Sequence, residues 1–81
     1  MQFYQGYQTG FYNVNGNVNV FVGSLAGYSN TSGNSNVFVG YDTGGFNTLG
    51  SLNTFIGYNT GVSNTSGNSN VFTGAFAGLS F

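Results

Sequence analysis

The sequence predicts an all-β chain, a parallel β-solenoid or β-roll of about 4.8 coils with 17 residues per coil. Three observations carry this. Asn19-Val20-Phe21-Val22-Gly23 returns as Asn36-Val37-Phe38-Val39-Gly40, as Asn53-Thr54-Phe55-Ile56-Gly57 and as Asn70-Val71-Phe72-Thr73-Gly74, each time 17 residues on and without insertion. Gly and Asn hold fixed phases within that period. The runs between them are β-branched and aromatic, too short for a helix, and show no 3.6-residue periodicity.

The repeats run approximately over 2–18, 19–35, 36–52, 53–69 and 70–81, and 1–81 reads as a single domain. The first opens on a degenerate copy, Gln2-Phe3-Tyr4-Gln5-Gly6. Short strands are expected around Phe21, Phe38, Phe55 and Phe72. Each strand runs into a glycine of one column: Gly23, Gly40, Gly57 or Gly74. A second column holds Gly27, Gly44 and Gly61, and a third holds Gly33, Gly50 and Gly67. Glycine at a fixed phase marks a turn that needs positive φ, or a place where chains pass too closely for a Cβ. Two Asn columns accompany them, Asn19, Asn36, Asn53 and Asn70, and Asn13, Asn30, Asn47 and Asn64. Parallel coils about 4.8 Å apart would stack these into amide ladders and the phenylalanines into ring stacks, in a rod of roughly 23 Å. A longer period of 34 is also present, since Asn30 to Phe38 is identical to Asn64 to Phe72.

Side chains alternate faces along a strand, so Val20 and Val22 point one way and Phe21 the other. Both faces are apolar, as they are around Phe38. A small coil has one interior, and the second face calls for a cover. The expected cover is another copy of the chain. Phe21, Phe38, Phe55, Phe72, Val20, Val37, Val39 and Ile56 are therefore the candidate core and assembly residues.

Composition narrows the function classes. The chain has no Lys, Arg, His, Cys or Pro, and its one charged residue is Asp42. Without cations it has no phosphate-neutralising patch, so no nucleic-acid partner is expected. One carboxylate without His or Cys leaves no zinc, haem or disulfide framework and no acid–base pair, so neither a cofactor nor enzyme activity is expected. No apolar run approaches the ~18 residues of a membrane-spanning helix, and no membrane partner is expected. Asp42 shares its column with Gln8, Leu25, Asn59 and Phe76, a variable site read as solvent-facing. Tyr7, Tyr41 and Tyr58 share another, read as a structural ladder rather than a sugar-stacking strip. Asn30-Thr31-Ser32 and Asn64-Thr65-Ser66 match the N-glycosylation sequon, making Asn30 and Asn64 candidate glycan sites.

The Asn-Val-Phe-Val-Gly strand with its glycine-punctuated return resembles the Asn-Ser-Val-Ala-Ile-Gly head repeats of trimeric autotransporter adhesins. The unit from Gly27 to Asn36 resembles the Asn/Thr-rich repeats of bacterial surface proteins and phage tail fibres that precede endosialidase-type chaperone domains. The resemblance implies a left-handed β-roll, trimerised about a central axis and displayed outside the cell. This chain departs from it in placing Phe rather than Ala at mid-strand.

The functional expectation is a structural subunit or segment of an extracellular or surface-borne fibre. It would be a homo-oligomer, a trimer, that assembles through its apolar strand faces. Its first and last coils carry no charge or proline at their strand edges, so further coils or end-to-end stacking into a filament are expected there. The alternatives are a receptor-binding segment of an adhesin or tail fibre, with glycans as candidate partners, and an ice-binding solenoid. The last would use its Thr columns, Thr31, Thr48 and Thr65, and Thr9, Thr43 and Thr60.

Overall fold

A computed structural model of the chain describes residues 2–13, 16–62 and 65–78. These residues form one parallel sheet of five strands: β1 (Phe3–Gln5), β2 (Val20–Val22), β3 (Val37–Val39), β4 (Thr54–Ile56) and β5 (Val71–Thr73). Each strand pairs with the next at a register of one repeat, as in Phe21 to Phe38 and Phe38 to Phe55. The fold is the β-solenoid expected from the repeat, with about four turns between β1 and β5. No helix occurs among the described residues. The Cα envelope measures 26 × 23 × 15 Å, close to the expected stack.

The interior is a column of rings. Phe21, Phe38 and Phe55 are fully buried, and Tyr4 and Phe72 pack on either end. Successive rings stack at 4.8–5.1 Å and within 11° of parallel. The middle residue of each strand therefore points inward, and the flanking Val residues point outward. The second glycine column makes room for the rings. Gly27 has φ 60°, and a Cβ there would lie 2.4 Å from the Phe21 ring.

The third glycine column has a different cause. Gly33 is not at positive φ; a Cβ on it would stand 2.3 Å from the Gly50 carbonyl oxygen of the next coil. Close approach, not backbone handedness, selects glycine there. The left-handed corners that glycine did not signal are held by other residues. Gln8, Leu25, Asp42, Asn59 and Phe76 form one such column and Val18, Ser35, Leu52 and Ser69 a second, all with φ between 51° and 64°. A non-glycine residue held there costs on the order of 1–3 kcal/mol, and coil-to-coil hydrogen bonds keep it in place. Leu25 N donates to Tyr7 O at 2.9 Å and Leu52 N to Asn34 O at 3.0 Å.

Candidate functional site

The two Asn columns form the chemical spine of the molecule. Asn19, Asn36 and Asn53 are buried, and each side chain joins two coils. Asn36 Oδ1 accepts from Asn53 N at 3.0 Å, while Asn36 Nδ2 donates to Gly50 O at 2.8 Å. The same pair of bonds recurs at Asn19 and at Asn53. Gln2 stands in this column in the first coil and accepts from Asn19 N at 3.0 Å. In the second column, Asn30 Nδ2 donates to Asn13 Oδ1 at 2.7 Å and to Gly33 O at 3.1 Å. The Gly33 and Gly50 carbonyls each receive two side-chain amides. The side-chain amides of these two columns are thus buried with partners, within their own turn or one coil away.

This geometry bears on the candidate glycan sites. Asn30 is fully buried and its amide nitrogen is doubly committed, so in the folded coil it is closed to a glycosyl donor. Asn64 lies outside the described residues. The Thr columns are turned to internal use as well. Thr43 and Thr60 are fully buried and donate to the Gly57 and Gly74 carbonyls, each at 2.6 Å. Thr31 donates to Thr48 O at 3.3 Å and Thr48 to Thr65 O at 3.4 Å. No array of free hydroxyls faces outward from Thr43 and Thr60.

Tyr41 and Tyr58 stack at 5.5 Å and 15°, but Ser24 interrupts the column between Tyr7 and Tyr41. Rings stacked on one another cover the faces that a sugar would need. A separate cluster joins Phe11, Tyr12 and Tyr28, with Phe11 and Tyr28 stacked at 5.4 Å and Tyr12 edge-on to Tyr28 at 5.2 Å. The Tyr12 hydroxyl hydrogen-bonds that of Tyr28 and holds the Tyr28 phenol above its ordinary value.

Asp42 is half-buried rather than fully solvent-facing. It sits at φ 54°, and its carboxylate closes over Gly45, where a Cβ would stand 1.9 Å from Oδ1. Burial raises its carboxyl above the ordinary 3.8. A raised carboxyl pKa favours the protonated form in the folded state. The folded state is then favoured most below the unfolded value, and this contribution is lost as pH rises through the folded value. The melting temperature is expected to be higher near pH 3 than at pH 7, with Asp42→Asn removing most of that response. A melting temperature that falls on acidification would contradict this account.

The sheet has an outward face opposite the ring column. Its two columns are Phe3, Val20, Val37, Thr54 and Val71, and Gln5, Val22, Val39, Ile56 and Thr73. Val20, Val22, Val37 and Val39 are half-buried, and Ile56 and Val71 are exposed. Among the described residues no pocket is present, and no three acidic, histidine or cysteine side chains converge. Among the described residues no helix is long and apolar enough to cross a membrane. No protein-family model matches the chain, and no curated protein or solved structure is significantly similar to it.

Proposed function

We propose that this chain is a structural segment of an extracellular or surface-borne fibre, a rigid rod that associates with parallel copies of itself, as a trimer, through the outward strand face. The observation that supports this reading most is the division of labour along each strand. The inward Phe column already completes the core, yet the outward columns remain β-branched and uncharged over successive coils. An uncharged β-branched face running across several strands is the kind of surface that marks association. The sealed amide spine supports the same role. A rod held by neutral ladders keeps its form across salt and pH better than one held by ion pairs.

The test is sedimentation of the wild-type chain beside the Val37→Lys/Val39→Lys variant. Both positions point outward, so the variant keeps its β spectrum and its stability within about 1 kcal/mol. The wild type is expected to sediment as an elongated oligomer and the variant to lose that association. A variant that sediments as the same oligomer as the wild type would remove the strand face from the assembly.

A further inference from the structure

The 34-residue period has a structural expression away from the strand face. In the second and third coils the return segment buries every third residue, Asn30, Gly33 and Asn36, and Asn47, Gly50 and Asn53. That three-residue step leaves the residues just before each buried one on a common outward row. In the third coil the row is Phe46, Leu49 and Leu52, which are 60%, 58% and 62% exposed. One coil below, the same row is Ser29, Ser32 and Ser35, and one coil above, Ser66 and Ser69 stand at the corresponding places. The first coil has large side chains at two of the three places, Tyr12 50% and Val18 61% exposed, and Asn15 at the third in the sequence. The surface is therefore ribbed: a fully apolar row in the third coil and a partly apolar one in the first alternate with serine rows, one strand spacing of about 4.8 Å apart.

We propose that this ribbed surface binds a second copy of the chain in antiparallel orientation, about a twofold axis lying between the second and third coils. A face-to-face pair with a twofold axis has two ways to lie across the rods. An axis parallel to the rods sets each row on its own copy in reversed order, so Leu49 meets the partner's Leu49 and Phe46 meets the partner's Leu52, ridge on ridge. An axis perpendicular to the rods, between coils two and three, exchanges odd rows for even ones. Leu49 then faces the partner's Ser32, Phe46 faces the partner's Ser29, and Leu52 faces the partner's Ser35. The same operation places the first coil's row on the fourth coil's, with Val18 opposite the partner's Ser69. Every ridge meets a groove, and the contact is closed and self-complementary.

Charge and area favour this occupant. None of the row residues is charged, and Asp42 belongs to another column, so two copies bring no like charges together on this surface. At about 200 Å² for a large apolar side chain, the five exposed ones offer on the order of 550 Å². With the serine rows included, this approaches the ~800 Å² that each partner of a stable complex buries.

Disulfide trapping tests the pairing independently of the strand face. Leu49→Cys and Ser32→Cys are prepared as separate chains, checked for an unchanged β spectrum, and oxidised alone and as a mixture. The mixture is expected to yield a Leu49→Cys/Ser32→Cys heterodimer at least tenfold above either chain alone. Adding Phe46→Ser and Leu52→Ser to both chains is expected to abolish that product while leaving the melting temperature within a few degrees. Trapping of Leu49→Cys with itself would establish parallel pairing and overturn the proposal. Absence of any trapped product from folded chains would overturn it equally. Repeating the trapping in the Val37→Lys/Val39→Lys background separates the two surfaces, because the heterodimer should persist there.

Discussion

Asn36→Asp is expected to destabilise the fold by about 4–7 kcal/mol at neutral pH and to recover most of that loss in acid. Asn36 is fully buried, and the substitution changes one atom group without changing shape. Where the amide Nδ2 donates to Gly50 O at 2.8 Å, a carboxylate would oppose two oxygens at hydrogen-bond distance. Asn47 Nδ2 would still serve the Gly50 carbonyl at 3.0 Å, but the introduced charge would have no cation anywhere in the chain to meet it. Full burial raises a carboxyl by roughly 3–5 units, each worth about 1.4 kcal/mol. The proton is then bound more tightly in the folded state, so stability returns as pH falls towards the unfolded value near 4 and is lost as pH rises. The protonated acid restores a donor to Gly50 O. Denaturant midpoints at pH 3 and pH 7 measure the effect directly. A neutral-pH midpoint equal to wild type would mean that the Asn ladder is not the spine described here.

Phe38→Ala is expected to cost about 3–5 kcal/mol, with no recovery at any pH. Phe38 is fully buried and stacks on Phe21 at 4.9 Å and on Phe55 at 4.9 Å. Its removal opens the middle of the column, where neither neighbouring coil can collapse inward because both are held at fixed spacing by the amide ladders. For a chain of 81 residues, total stability is on the order of 4–12 kcal/mol, so this one ring carries a large share. Val37→Ala, one residue away on the outward face, should cost under about 1 kcal/mol in the isolated chain. Chemical denaturation of the two variants side by side checks the assignment of faces. Equal losses would show that the strand has been read inside out.

The contrast between those two positions marks where sequence reasoning stops. Alternation along Val37-Phe38-Val39 places Phe and Val on opposite sides, but it does not say which side is the interior. The tertiary structure decides this through Gly44, where a Cβ would stand 2.5 Å from the Phe38 ring. The opposing turn leaves a slot deep enough for a ring and lined by glycine. The Asn columns were legible as ladders, yet their direction was not. That Asn30 turns inward, closing a sequon that looks accessible in the sequence, follows from the acceptors it meets there, the Gly33 carbonyl of its own turn and Asn13 Oδ1 of the neighbouring coil. Asp42 looked exposed because its column is variable. Its carboxylate is half-covered because the left-handed turn at that position folds it back over Gly45.

The sequence by itself determined the coil length, the parallel register, the positions of the strands and the absence of side-chain ion pairs. A strict 17-residue period leaves no other way to stack identical residues, and composition alone excludes ion pairs. Only the tertiary structure decided which strand face is core and which left-handed corners are held by Val18, Leu25 and Leu52 rather than by glycine. It also decided that the third glycine column serves close packing rather than turning. These depend on distances between coils, and a one-dimensional period carries the order of the residues but not how near the next coil comes.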